Sequence, residues 1–259
     1  MTSNETFLRI RAWELDFIAR QFWPGARILE IGAGNGQQAA ELATRGFAVD
    51  AIDIASSVYR GSRVFPIVDY DGNRIPFPDR SFDFVFSSNV LEHVTNLSQM
   101  HSEIARVLKS DGRAIHVLPS HAWRFWTTLD AFPFALKQLR TLRGELLLRR
   151  PTTGGELRRL RKAWEMAGQR LFEPFRQQRH GARGNSISEI WLFRPGFWRR
   201  NFRENGFSIE RERPLGLFYT GNLVFGRRLS IPARERLAKF LGSACHLFVL
   251  RSDSRGTSG

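Results

Sequence analysis

The sequence predicts a doubly wound α/β protein built on a mostly parallel sheet. Three observations carry this. The short apolar run Arg27-Ile28-Leu29-Glu30-Ile31 stops in the glycine cluster Gly32-Ala33-Gly34-Asn35-Gly36 and passes into a helical stretch over 37–44. Further runs rich in Val, Ile and Phe follow at 47–54, 64–70 and 82–88. Amphipathic helical spacing then alternates with them, as in repeated βαβ units.

Taken in order, Phe7, Ile10, Trp13 and Phe17 recur three and four residues apart among charged residues, which predicts an amphipathic helix over 6–22 that ends before Pro24-Gly25. The strand at 27–31 leads through the glycine turn to the helix at 37–44. The next three runs read as strands because buried parallel strands are apolar on both faces rather than alternating. Leu97, Met100, Ile104, Val107 and Leu108 share one side of a helix predicted over 97–109 and stopped by Asp111-Gly112, with a fifth strand over 114–118. From His121 to about Arg194 the rhythm breaks, and Trp123, Phe125, Trp126, Phe132, Phe134, Trp164, Phe172, Phe175 and Trp191 stand among many arginines, as in an insert or cap. The alternation resumes with a helix over 195–205 that has proline in its first turn, an alternating strand over 207–213, a helix over 233–241 and a strand over 245–250. The predicted organisation is therefore 1–120, the insert 121–194, the completion of the sheet over 195–251, and a Ser- and Gly-rich tail over 252–259 that should be disordered.

Composition bounds the function. The 259 residues, 42% apolar, suffice for a substantial core and exclude fibrous and disordered classes. The single cysteine, Cys245, excludes an internal disulfide, a zinc–cysteine framework and an iron–sulfur cluster, and no metal site is expected. No run approaches the ~18–20 apolar residues of a membrane span, and Glu5, Glu14 and Asp16 interrupt the N-terminus where a signal peptide would be apolar. A cytoplasmic protein is expected, soluble or peripheral at the inner membrane face. The heavy use of arginine points to a GC-rich bacterial source.

The charge is lopsided: 39 Lys and Arg against 25 acidic residues give +14, and residues 121–220 hold 20 of the cations and 9 of the acids, a net +11. An anionic partner is implied.

The glycine cluster is the first chemical signal. Glycines between a buried strand and a helix let the backbone approach a ligand and aim helix N-terminal N–H groups at it. Alone it is a weak signal that also reads as an ordinary strand-to-helix turn, and Gln37 at the sixth position departs from the dinucleotide fingerprint G-x-G-x-x-G, which disfavours an NAD-dependent oxidoreductase. The second signal is Asp53, about twenty residues past the first glycine at a strand end, where a carboxylate can accept hydrogen bonds from both hydroxyls of a ribose. Asp50 lies on the same strand without a readable role.

With ILEIGAGNG at 28–36, AVDAID at 48–53, IPFPDRSFDFVFSSNVLEHV at 75–94 and IARVLKSDG at 104–112, the chain resembles the class I S-adenosylmethionine-dependent methyltransferases, in particular the subgroup that includes quinone-biosynthesis enzymes. The resemblance covers roughly residues 26 to 120. It implies a Rossmann-like sheet of seven strands with the last antiparallel, a basic, aromatic helical insert after strand five, and S-adenosyl-L-methionine as cofactor. It further implies that Glu30 and the backbone of Gly32, Ala33, Gly34 and Gly36 surround the methionine part, that Asp53 takes the ribose hydroxyls, and that Ile54 packs on the adenine. Asp71, with Gly72 beside it, matches the acidic position at the adenine amino group, Asp69 being the competing candidate; Asn89 and Val90 would line the sulfonium end.

Methyl transfer needs mainly alignment, so a general base is optional. His93 and His121, after the fourth and fifth strands, are the candidates, with a structural or supporting role preferred for His93; His116, mid-strand, reads as a core histidine. The acceptor would be a small molecule or a lipid-linked one. Clusters at 146–150 and 158–162 suit contact with an anionic membrane; RNA ranks second, and a merely solvated basic face or a non-catalytic basic binding protein are the remaining alternatives.

Overall fold

The computed structural model describes residues 3–129, 179–185, 187–221 and 229–253. Helix α1 (Ser3–Ala19) precedes β1 (Arg27–Ile31), α2 (Gln37–Thr44), β2 (Ala48–Ile54), β3 (Val68–Tyr70) and β4 (Phe82–Ser88). Then come α3 (Leu97–Val107), β5 (Leu108–Pro119), a helical segment α4 over 121–129, α5 (Glu189–Leu192), α6 (Pro195–Glu204), β6 (Phe207–Pro214), α7 (Ile231–Leu241) and β7 (Cys245–Ser252). The seven strands form one sheet of order β3-β2-β1-β4-β5-β7-β6, in which β7 runs antiparallel to both neighbours and the other pairings are parallel. This is the expected architecture. The part of the insert over 130–178, including Phe132, Phe134, Trp164, Phe172, Phe175 and both arginine clusters, lies outside the described residues, as does the tail from residue 254.

The two faces of the sheet bury separate apolar layers. Leu29, Ile31, Val85, Ala114, Phe248 and Leu250 pack on α3 and on Trp198 and Phe202 of α6. Ile28, Phe84, Phe86, Ile115, Val117 and Leu247 face Ile10, Leu15 and Ile18 of α1 and Leu42 of α2. Strands covered on both sides must be apolar throughout, which is why β4 reads as a continuous Phe/Val run. The order reverses between β1 and β4: β2 and β3 are added on one side of β1, and β5, β7 and β6 on the other side of β4. At such a switch point the loops after the two strands diverge and leave a crevice at their carboxyl ends.

Several boundaries differ from expectation. The third strand starts at Val68 rather than 64, because Pro66 has no N–H for the ladder and the Val64 N–H bonds instead to the Asn35 carbonyl in the glycine turn, 2.8 Å away. Asp111-Gly112 does not stop a helix: α3 already ends at Val107, and β5 runs through the pair, with the register against β4 shifting between Phe82 and Phe84. The first helix spans 3–19 instead of 6–22. Ser252, expected in a disordered tail, pairs with Phe207 as the end of β7, and the Asp253 N–H bonds to the Gly206 carbonyl.

Candidate functional site

The glycine turn is fastened to β2. The N–H groups of Gly32 and Ala33 donate to the Ile52 carbonyl, and Gly34 N–H donates to Asp53 Oδ2 at 3.0 Å while Ile54 N–H donates to Oδ1 at 2.8 Å. Asp53 thus braces the turn with one lone pair of each oxygen, and remains 8% exposed at the crevice. Gly32 holds φ +69°, and a Cβ there would come 2.5 Å from Val90 Cγ2. Only glycine lets the loop after β1 lie against the loop after β4, so Asn89 and Val90 are brought beside the turn.

Beyond β2, Ile54 is 43% exposed, an apolar side chain at a strand end, and Gly72 lies against it. The Asp71 carboxylate next to Gly72 accepts from the backbone N–H groups of Arg74 and Asn73 through Oδ1, which hold it below the usual carboxylate range. Asp69 is instead engaged by Arg63 at 2.6 Å and Arg60 at 2.8 Å. Asp50, without a readable role in the sequence, pairs with Arg27 across β1 and β2 at 2.9 Å. The loop at 75–79 is pinned by Arg106, which donates to the carbonyls of Ile75 and Phe77 and to Asp79 and Glu103.

Glu30 sits under the turn, 2% exposed. Burial pushes its carboxyl up to about 8, only partly offset by the backbone N–H of Ala39, and the nearby Asp53 adds to the rise. One oxygen, Oε2, has no hydrogen-bond partner among the described residues. The donor set therefore fits a zwitterionic nucleoside: an orphaned buried carboxyl for an ammonium, a second carboxylate for hydroxyls, and an exposed isoleucine for a flat base.

A second region adjoins the first at Asn89. A cavity of about 450 Å³ is lined by Phe7 and Arg11 of α1, Asn89, Pro119 at the end of β5, Trp123, Arg124 and Thr127 of α4, Arg179 and His180, 219–221, and Cys245. Asn89 adopts φ +55°, its N–H held by the Val117 carbonyl, and its amide oxygen accepts from Arg11 Nη1 at 2.8 Å when turned towards the guanidinium. Arg11 also pairs with Glu14, 3.0 Å away; Glu14 in turn accepts from the Tyr219 hydroxyl at 2.8 Å, and that hydroxyl contacts Cys245 Sγ at 3.1 Å. Burial pushes both the phenol and the thiol well up, so they are neutral groups in the wall. The wall of α4 is fixed by a fully buried ion pair, Arg124 Nε to Glu189 Oε2 at 2.9 Å.

Of the histidines singled out in the sequence, His93 is half-exposed beside Glu92 on the one-turn helix 91–93, with burial lowering its affinity for a proton. His121 is exposed at the start of α4, outside the cavity lining. His116 is a core residue: its Nδ1 lies 2.8 Å from Ser87 Oγ, its ring stacks on Phe202, and burial pushes it down to about 3. The imidazole that lines the cavity is His180, which sequence reasoning passed over along with Arg11, Glu14 and Tyr219. These four share no motif, and only the fold gathers them.

Residues 29–116 match the family model described as a methyltransferase domain. Over this stretch the chain is similar to the methyltransferase domains, and its sheet has the fold of the S-adenosylmethionine-dependent members. The methyltransferase domain is 40% identical over 105 residues to the biotin biosynthesis bifunctional protein of Cellvibrio japonicus, covering 39% of this chain and 21% of that protein. It is 34% identical over 107 residues to the demethylmenaquinone methyltransferase of Tropheryma whipplei, covering 39% and 45%. The chain thus spans less than half the length of these relatives. The whole methyltransferase fold is shared with the S-adenosylmethionine-dependent methyltransferases solved from Aquifex aeolicus, with TM-score 0.51 and 12% identity over 96% of this chain and 98% of that one, and from Mesorhizobium loti, with TM-score 0.51 and 16% identity over 92% and 99%. Among the described residues no helix is long and apolar enough to cross a membrane.

Proposed function

We propose that this protein transfers the methyl group of S-adenosylmethionine to a small-molecule or lipid-linked acceptor held in the cavity over β4, β5 and β7. The observation that supports this most is the continuity at Asn89: the residue lines the cavity, while its neighbour Val90 touches Gly32 of the turn. A donor bound at the turn and an acceptor in the cavity would meet there. The volume lies in the range of small-molecule sites.

In this reading the carboxyl of Glu30 receives the ammonium, with the backbone of Gly32, Ala33, Gly34 and Gly36 around the methionine part. Asp53 accepts from the ribose hydroxyls, Ile54 and Gly72 flank the adenine, and Asp71 approaches its amino group. Asn89 and Val90 border the sulfonium. When bound, the cofactor supplies a methyl group already carried on a positive sulfur. The protein's contribution is then alignment and exclusion of water, and the Arg11–Asn89 contact fixes the wall at the point of transfer. The names of the quinone-biosynthesis relatives make a demethylmenaquinone-like aromatic acceptor the first to try. We also propose that the arginine clusters at 146–150 and 158–162 bring the protein to anionic lipid.

The test is calorimetric titration with S-adenosylmethionine on the native protein and on Asp53→Ala, followed by transfer of labelled methyl to demethylmenaquinone. Binding that the substitution abolishes supports the donor site. A folded protein that binds no S-adenosylmethionine overturns the reading in favour of a basic binding protein.

A further inference from the structure

Glu92 is the second residue of the one-turn helix Leu91–His93, immediately after β4 and Asn89. Its side chain is 0% exposed, yet neither carboxylate oxygen has a hydrogen-bond partner among the described residues. A carboxylate withdrawn from water normally gains donors or a cation in return. Two imidazoles approach it, with His93 Nε2 and His180 Nε2 each 3.8 Å from Glu92 Oε1. Both distances are too long for hydrogen bonds. The two rings meet edge to face with centroids 4.9 Å apart and planes inclined at 63°, and one donor atom from each of the three residues falls within 4.8 Å of the others.

The convergence is built by the chain rather than by chance side-chain placement. His180 comes from a segment far along the sequence that is clamped onto Glu92. Ala182 N–H donates to the Glu92 carbonyl at 2.7 Å, Gly181 N–H donates to Glu189 Oε1 at 2.7 Å, and Arg183 Nη2 donates to the Thr95 carbonyl at 3.0 Å. A Cβ at residue 181 would lie 2.7 Å from the Glu92 carbonyl oxygen, so glycine is required for this approach. Glu189, which holds Gly181 in place, is paired with Arg124.

Two imidazole nitrogens and one carboxylate oxygen suit a divalent first-row metal. Metal–ligand bonds of about 2.0–2.2 Å put neighbouring donors of a tetrahedral site about 3.4 Å apart, slightly closer than the 3.8 Å seen from Glu92 to each ring. We propose that Glu92, His93 and His180 bind a divalent transition-metal ion of the Zn²⁺ type at the edge of the acceptor cavity. Three protein ligands leave a fourth position for water or a polar group of the acceptor, and His180 belongs to both the cluster and the cavity wall.

The experiment titrates chelator-treated full-length protein with Zn²⁺ by calorimetry and with Co²⁺ by visible absorption. The expected result is a single saturable equivalent and a tetrahedral Co²⁺ spectrum, with Glu92→Gln and His180→Ala each weakening binding at least tenfold. If Glu92→Gln does not fold, the half-exposed His93→Ala carries the same expectation. S-adenosylmethionine binding is measured on each variant and should persist, which separates this site from the donor site and from the fate of the methyl-transfer reading. Absence of saturable Zn²⁺ binding by the native protein, or binding that survives His93→Ala combined with His180→Ala, overturns the proposal.

Discussion

Glu30 offers a test of the donor site that does not depend on knowing the acceptor. Its carboxyl is raised from 4.5 to about 8 because burial disfavours the charge, with only the Ala39 N–H in compensation. At pH 7.0 a group with that value is about 0.9 protonated. An ammonium placed against the orphaned Oε2 stabilises the ionised form, so the carboxyl should give up its proton as the ligand binds. S-adenosylmethionine binding at pH 7.0 should then release close to one proton from Glu30, and its affinity should rise up to about tenfold per pH unit below pH 8. The assay is calorimetry in two buffers of different ionisation enthalpy, with the slope of observed enthalpy against buffer enthalpy giving the proton count. The ligand's own amino group, with a pKa of about 8, contributes a small uptake. The difference between the native protein and Glu30→Gln isolates the carboxyl. Equal proton counts for the two, with binding intact, would refute the placement of Glu30 at the ammonium.

The same residue has a stability signature in the absence of ligand. A shift of this size corresponds to roughly 5 kcal/mol between the two protonation states. Because the folded value is above the unfolded one, the contribution is whole below about pH 4.5 and is lost as pH rises towards about 8. Denaturant midpoints of native and Glu30→Gln protein should therefore diverge in favour of the variant on going from pH 5 to 8.

Other predictions follow from single contacts. Asp53→Ala removes the acceptor for the Gly34 and Ile54 N–H groups and should cost about 1–3 kcal/mol in chemical denaturation, besides weakening S-adenosylmethionine at least tenfold by calorimetry. Gly32→Ala combines a left-handed φ with a clash against Val90 and should destabilise by about 1–3 kcal/mol, with unchanged stability counting against the close approach of the two loops. Arg124→Ala leaves the Glu189 carboxylate buried without its partner and should lower the unfolding free energy by about 3–5 kcal/mol. Vesicles containing anionic lipid should retain the protein at low salt and release it as salt screens the arginines; retention that ignores salt would exclude an electrostatic contact.

The side proposed for the donor shows as a pattern in the sequence because its elements are local. The glycine turn, the aspartate ending β2 and the run into β4 each sit within a few residues of a strand end, and a parallel sheet brings strand ends together automatically. The side proposed for the acceptor does not, because its wall is assembled from α1, the loop after β4, α4, the segment at 179–180 and the start of β7, pieces separated by most of the chain. Arg11 reads in sequence as the polar side of an amphipathic helix, and only the packing of α1 over the end of β4 turns it towards Asn89. Glu92 shows the limit differently. The sequence drew attention to its neighbour His93 as a candidate base after the fourth strand, and Glu92 itself carried no reading. In the fold Leu91 and Glu92 are both buried and the imidazole is left half-exposed. A carboxyl that the fold encloses without donors, with two imidazoles beside it, is a place where a bound cation would complete the set. The close approach of Gly181, which brings His180 over it, is the reason to look for a cation at that position.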